Sequence, residues 1–302
     1  MRPSEAHLEK ALEEFNDKVD RLERDGDDRG LLDAYINRGC VLSMMDSVVS
    51  AIDDFNEAAE IISGLQSKGE NVDPGYIVKT YVSRGELQSE GTMKDMLDDY
   101  RVAASVLKDL KEGSKYYDRE GIVTMCVNCA GDLIEFDFTE DSEPFTKKGL
   151  ELVVGRNDRF SRNAYVKLNN LSGQACMDDE NNKTALKYFD EAVRVAQELA
   201  SRDELDDRMD MVYAYVSRGD VEEFLKMDEK LLEDREAAIS ILEDMKYKGA
   251  LDDDELLSNL HGETAQLYMK AGRIKDAERH LLKQVSYNLS GSTEYLNENG
   301  EQ

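Results

Sequence analysis

Small residues return along this chain at a nearly constant interval, inside stretches whose apolar residues follow a helical period. Successive members are separated by 46, 46, 42, 46 and 46 residues. They are Gly39, Gly85, Gly131, Gly173, Gly219 and Ala265. A second helical pattern follows, most clearly where Phe55 stands between Ala51 and Ala58. This order predicts a repeat array of helix pairs, because small residues let two helices approach closely while an aromatic ring fills the seam.

The pattern resembles the tetratricopeptide repeat (TPR) family over roughly residues 28–290. The matching residues are Gly39, Ala51, Phe55 and Ala58; Gly173, Ala185, Phe189 and Ala192; and Ala265, Tyr268, Gly272 and Ala277. The family's usual repeat has about 34 residues, so each unit here carries about six more residues per helix. The unit around Gly131 matches least well, since Phe145, Gly149 and Leu152 stand where Ala, Phe and Ala are expected. The resemblance implies an all-α, right-handed α-solenoid of about six helix pairs.

We predict one superhelical domain over residues 1–290. The segment from His7 to Glu23 has the pattern of a lone second-type helix, so residues 1–26 are expected to form a helix that caps the first pair. Residues 291–302 lose the period and are expected to be a disordered tail.

Residues that favour helix starts occur between the periodic segments. Asp73 is followed by Pro74, and proline is favoured in the first turn of a helix. Ser142 precedes Glu143 and Pro144 in a similar order, so another start is predicted there.

Acidic side chains outnumber basic ones throughout the chain. There are 66 Asp and Glu residues against 38 Lys and Arg, which gives a formal net charge of −28. Nucleic acids and anionic membranes attract cationic surfaces, so neither is an expected partner. A protein or peptide with a basic segment is a natural partner. The alternative is that the charge only keeps an elongated protein in solution.

The expected location is the cytoplasm. The chain has no stretch with the apolar length of a signal peptide or a membrane span. Its 4 cysteines do not have the spacing of a disulfide framework, which suits a reducing compartment.

Catalytic, metal and cofactor sites are not predicted. Cys126 and Cys129 have half the spacing of a zinc site, but no second pair accompanies them, so buried thiols are expected. His7, His261 and His280 lie in separate elements without a nucleophile motif. We therefore expect no enzymatic activity, no bound metal and no cofactor.

Three arginines stand directly before the small residue of a first helix. In the resembled family this position usually holds an apolar residue that packs toward the second helix, so an arginine there is expected to be partly buried and to need a partner. The units that carry them have acidic pairs in the second helix, whereas the other units have basic or neutral residues there. This comparison between repeats of one chain predicts the structural ion pairs Arg38–Asp54, Arg84–Asp99 and Arg218–Asp234. The alternative is a cationic row that binds anions.

The resemblance also implies a concave groove, lined by the first helices, that commonly binds extended peptides. Its inward positions fall three residues before, one after and four after each small residue. The predicted partner-binding residues are Asn128, Asp132, Glu135, Asn170, Gln174, Asp220, Glu223 and Gln266. Amides both donate to and accept from a peptide backbone, and carboxylates favour Lys or Arg in the partner. The alternative is that these are ordinary solvated helix positions.

The function predicted from the sequence is a non-catalytic scaffold or adaptor with an acidic groove for a basic or extended peptide. One alternative is a peptide-responsive regulatory receptor of the TPR type, which would act on a separate effector because only a short helix precedes the first repeat. A second alternative is a homo-oligomeric structural element that associates through its end helices.

Overall fold

The computed structural model describes residues 3–88, 93–178, 181–251 and 253–298. Within these ranges the chain forms thirteen α-helices and no β-strand. The predicted fold class, an all-α solenoid of helix pairs, is confirmed. Consecutive helices pack in pairs, and in each pair the earlier helix is called the first helix and the later one the second.

The chain divides into two compact units. Unit 1, Met1–Val154, contains a leading helix and three pairs. Its helices are α1 (Glu5–Asp25), α2 (Asp28–Met44), α3 (Val48–Ser67), α4 (Pro74–Gln88), α5 (Met93–Leu107), α6 (Arg119–Glu135) and α7 (Thr139–Val153). Unit 2, Gly155–Gln302, contains three pairs. Its helices are α8 (Arg159–Asp178), α9 (Asn182–Ala200), α10 (Arg208–Phe224), α11 (Asp228–Tyr247), α12 (Glu255–Lys270) and α13 (Ile274–Glu298). A single domain over 1–290 and a tail over 291–302 stay predictions.

Glycine is required at three of the seams because an aromatic ring of the second helix lies against it. A Cβ atom on Gly85 would approach Cε1 of Tyr100 to 2.6 Å, closer than side chains tolerate. The same contact joins Gly39 to Phe55 and Gly173 to Phe189. All three rings are fully buried. Truncating such a ring typically costs about 3–5 kcal/mol, so these contacts hold each pair together.

Two seams depart from this arrangement. Gly131 of α6 has no side chain or neighbouring helix within 4 Å of the position of a Cβ atom. The nearby Phe145 instead packs edge-on against Tyr100, with ring centroids 5.9 Å apart. Gly219 faces a guanidinium rather than a ring, because Arg235 stands at the aromatic position of its pair.

The two predicted helix starts have different outcomes. Helix α4 begins at Pro74, and Asp73 Oδ1 accepts a hydrogen bond from the Gly75 amide at 2.8 Å. The start at Ser142 is wrong, because α7 begins three residues earlier at Thr139. Ser142 is buried inside the helix, where its hydroxyl donates to the Thr139 carbonyl at 2.7 Å.

Candidate functional site

The three predicted arginine–aspartate pairs are in contact, and each has the two-pronged geometry of a guanidinium on a carboxylate. Arg38 donates from Nε and Nη2 to the two Asp54 oxygens at 2.9 and 2.7 Å. The corresponding distances are 2.8 and 2.6 Å for Arg84–Asp99, and 2.7 and 2.7 Å for Arg218–Asp234. The aspartate side chains are only 5–6% exposed. We call each pair an arginine clasp.

Each clasp also reaches the second helix of the preceding pair, or α1 in the first case. Arg38 Nη1 donates to Asn16 of α1 at 3.1 Å. The equivalent contacts are Arg84 to Asn56 at 2.8 Å and Arg218 to Asp190 at 3.0 Å. A clasp therefore joins three consecutive helices. The shared contact also places α1 in the position of a second helix, next to α2.

The clasp electrostatics favour the charged forms of the arginines. The hydrogen bond to Asp54 raises the pKa of Arg38 above its usual value. A tyrosine ring lies beneath each guanidinium, 5.4 Å from the Arg38 carbon in the case of Tyr35, which adds a cation–π contact. All three arginines are thus engaged within the protein.

In unit 1 the predicted groove residues lie on α6. Asn128 and Glu135 are exposed, and Asp132 is half-buried. Asp132 accepts a hydrogen bond from the Tyr100 hydroxyl at 2.8 Å, so its carboxylate is engaged in a side-chain contact between α5 and α6. Asn128 faces a cavity of about 600 Å³.

This cavity, which we call the unit 1 cavity, lies between α4 and α6 and is also lined by Leu110 and residues 115–118. Its apolar wall includes Val78, Val82, Leu110, Ile122 and Met125. Its polar wall includes Lys79, Ser83, Glu86, Lys115, Tyr116, Asp118, Thr124 and Asn128. Small-molecule and peptide side-chain sites commonly combine an apolar wall with a few polar groups in a volume of about 300–1,000 Å³.

The charges of the unit 1 cavity are mixed rather than uniformly acidic. Lys115 Nζ lies 3.2 Å from Asp33 Oδ1, and it lies over the rings of Tyr76 and Tyr116. Burial raises the pKa of Glu86, although the nearby Lys79 acts in the opposite direction. The cavity therefore offers an apolar interior with charges of both signs at its wall.

In unit 2, Asn170 and Gln174 lie on α8. The Asn170 amide donates to the Asp210 carbonyl of α10 at 2.8 Å, which joins two first helices. Its Oδ1 atom is buried and has no hydrogen-bond partner among the described residues. Gln174 is exposed.

The other three predicted groove residues line one cleft of about 270 Å³ between α10, α11 and α12. Asp220, Glu223 and Gln266 meet there with Glu263, Arg235 and Lys270. We call it the unit 2 cleft. Three carboxylates face two cations, so the excess charge is negative.

Arg235 is the residue of this cleft that the sequence reasoning missed. It is buried, pairs with Asp220, and places Nε 3.2 Å from Glu263 Oε2. Its Nη1 atom donates to the Val216 carbonyl at 2.8 Å. An arginine at a position where other repeats have Phe or Tyr could have indicated this role.

The structure places Cys126 and Cys129 in the core of unit 1, where both are buried. Burial raises the pKa of the Cys126 thiol to about 12 and that of Cys129 well above its usual value. Both side chains are therefore thiols at neutral pH, not nucleophilic thiolates. Among the described residues, no group of three or more His, Cys, Asp or Glu side chains is placed to hold a metal ion.

Across the described ranges, no helix has the length and apolar character needed to cross a membrane.

The helix pairs and their small-and-aromatic seams define a TPR-like helical-repeat protein. Similar solved structures include the apo form of RapI, with a TM-score of 0.58, 15% identity, and coverage of 92% of this chain and 75% of that chain. Aspartyl phosphate phosphatase F from Bacillus subtilis has a TM-score of 0.55, 12% identity, and coverage of 96% and 76%. BtubC (BKLC) from P. vanneervenii has a TM-score of 0.55, 14% identity, and coverage of 94% and 92%. At these identities the similarity establishes the fold. No protein-family model and no curated protein matches the sequence.

Proposed function

We propose that this chain is a non-catalytic binding protein whose first helices hold an extended segment of a protein partner. The unit 1 cavity is the observation that carries the proposal, since it combines apolar walls with the exposed amide of Asn128. An apolar side chain of the segment enters the cavity, and its backbone pairs with the amide.

The excess negative charge of the unit 2 cleft favours a basic residue in a bound segment. Arg235 is shared between Asp220 and Glu263, whereas Glu223 is exposed beside them. A lysine or arginine of the partner would add the missing positive charge at the solvent side of the cleft. We therefore assign the acidic part of the binding surface to the unit 2 cleft. The unit 1 cavity takes an apolar side chain of the partner.

The test uses peptides selected from a random library against the full chain. Thr124 lines the cavity and is exposed, so Thr124→Trp fills its mouth without disturbing the core. We expect the affinity of the selected peptides to be about tenfold or more lower for Thr124→Trp and for Asn128→Ala than for the unaltered chain.

Ser105→Trp is the matched control. Like Thr124, Ser105 is an exposed helical hydroxyl bonded to a carbonyl of its own helix, but it lies on α5, outside the cavity. It should leave affinity unchanged. Equal affinity of the peptides for Thr124→Trp and the unaltered chain would contradict the proposal. A peptide-induced change in binding to a separate effector would favour the receptor alternative, and light scattering tests the homo-oligomer.

A further inference from the structure

The last helix pair replaces the arginine clasp by two histidines. His261 lies four residues before Ala265, where the clasp repeats have Tyr35, Tyr81 and Tyr215 before their glycines. Thr264 stands at the arginine position and His280 at the aspartate position. The tyrosine–arginine–aspartate set of the other repeats has therefore become histidine–threonine–histidine.

The two histidine rings are joined in the interior. His261 Nδ1 and His280 Nδ1 are 2.9 Å apart, and both side chains are only 3% exposed. The ring centroids are 5.0 Å apart. We call these two residues the histidine pair.

The pair also contacts the preceding second helix at the positions that the clasps use. His280 Nε2 lies 3.1 Å from Glu236 Oε1, and Glu236 is the register equivalent of Asn16, Asn56 and Asp190. His261 Nε2 lies 3.4 Å from Glu243 Oε1. The histidine pair therefore joins α11, α12 and α13, as each clasp joins three helices.

The number of protons decides whether this joint holds. Two facing Nδ1 atoms share one hydrogen, because one nitrogen donates and the other accepts. Two imidazolium rings would place an N–H against an N–H at this distance. Double protonation must therefore separate the rings, whereas the guanidinium–aspartate pair of a clasp keeps its charges until the carboxylate itself is protonated.

The surroundings favour the uncharged pair. The groups that face it are Glu236 and Glu243 from α11, Tyr268 from α12, and Arg279, Lys283 and Tyr287 from α13. The two carboxylates are already matched by Arg279 and Lys283, at 3.3 and 3.2 Å. Arg279 Nη2 lies 3.1 Å from His280 Nε2, so its positive charge opposes a second positive charge on that ring. Burial lowers the pKa of both histidines, that of His261 to about 4.

We propose that the histidine pair makes the joint between α11, α12 and α13 acid-labile, so that acidification loosens the last helix pair while the pairs held by arginine clasps stay closed. Unfolded histidines bind protons from about pH 6.5 downward. The folded pair binds protons only at lower pH. Its contribution to stability is therefore complete above about pH 6.5 and is lost as the pH falls toward 4.

Hydrogen–deuterium exchange along the full chain tests this proposal. After correction for intrinsic exchange at each pH, protection of α12 and α13 should fall about tenfold or more between about pH 7.5 and about pH 5. Protection of α4 and α5, which the Arg84 clasp holds, should change by less than about twofold. Equal changes in the two pairs would overturn the proposal.

The matched variant restores the clasp. His261→Tyr, Thr264→Arg and His280→Asp together rebuild the set of the other repeats, and should remove the extra acid sensitivity of α12 and α13. If this triple variant does not fold, His280→Asn, which prevents double protonation of the pair, should reduce the acid sensitivity. Undiminished acid sensitivity in either folded variant would overturn the proposal.

A proton titration by NMR needs no variant. We expect His261 and His280 to titrate at clearly lower pH than the value of about 6.5 of a histidine in an unfolded chain. Titration of both pair histidines near that unfolded value would overturn the proposal.

Discussion

At the residue scale, the clasps show how a buried charge is tolerated in this chain. The Asp54 carboxylate is almost completely withdrawn from water, and its two oxygens accept from Arg38 at 2.7 and 2.9 Å. Removing one member of such a pair leaves the other charge buried without a partner, and that loss is larger than the net gain from the intact pair.

We therefore expect Asp54→Ala to lower the free energy of unfolding by about 3 kcal/mol. Asp53→Ala is the matched control, since Asp53 is the exposed neighbour on the same helix, and it should change stability by less than about 0.5 kcal/mol. Urea denaturation measures both. Equal midpoints for the two variants would show that the clasp does not stabilise the fold.

A second buried acid has a different consequence. Glu222 of α10 is 2% exposed, and burial, followed by the charge of Asp234, raises its pKa to about 7. Because the folded pKa lies above the unfolded value, the fold favours the protonated form. Glu222 thus contributes stability that is complete below about pH 4.5 and is lost as the pH rises through 7.

Glu222→Gln should remove this dependence. We expect the variant to be more stable than the unaltered chain at pH 8, by about 1–3 kcal/mol, and similar to it at pH 5. The exposed Glu223→Gln provides the control, with little effect at either pH. Urea denaturation at the two pH values measures the difference. A Glu222→Gln variant that is less stable at pH 8 would contradict this assignment.

At the element scale, the seams explain why the repeat period could be read from the sequence. Each glycine that faces a ring is fixed by a contact within its own pair, so the same spacing recurs wherever the contact recurs. The arginine clasps were predictable for the same reason, because repeats with and without arginine occur in one chain. Internal comparison took the place of an alignment.

The features that could not be predicted from the sequence depend on contacts between neighbouring helix pairs, which the repeat period does not encode. The residues that follow Ser142 in the sequence predict a helix start there, but Ser142 is buried within α7. The unit 1 cavity depends on how residues 110–118 pack between α4 and α6, and its two lysines make its charge mixed. The departure of Arg235 from the aromatic repeat position is visible in the sequence, but its partners Asp220 and Glu263 depend on how α10 and α12 pack around it.

Gly85 and Gly131 occupy the same position of the repeat, but substitution by alanine should change stability in opposite directions. Gly85→Ala should lower the free energy of unfolding by about 1–3 kcal/mol, because its Cβ would meet the Tyr100 ring. Gly131→Ala should raise it by about 0.5–1 kcal/mol, because the space is open and alanine favours a helix. Thermal denaturation followed by circular dichroism measures both. Destabilisation of similar size in both variants would contradict the seam description.

At the scale of the whole molecule, the net charge of −28 acts on every folded part of the chain. Repulsion among surface carboxylates destabilises a compact state, and salt screens exposed charges more strongly than buried ones. The aspartates of the clasps are buried, so salt should reduce the stabilising free energy of these ion pairs only slightly.

Raising the salt concentration from about 0.05 M to about 0.5 M NaCl should therefore increase the free energy of urea unfolding. The same salt should weaken a basic peptide bound to the unit 2 cleft, and should leave an apolar anchor in the unit 1 cavity nearly unaffected. A decrease in stability with salt would show that exposed ion pairs outweigh the repulsion.

Hydrogen–deuterium exchange of the full chain, with and without a selected peptide, tests whether a partner segment binds the first helices. We expect added protection in α4 and α6, which border the unit 1 cavity, with α5 and α7 unchanged. Protection confined to the second helices, or no protection in unit 1 at a saturating peptide concentration, would contradict it.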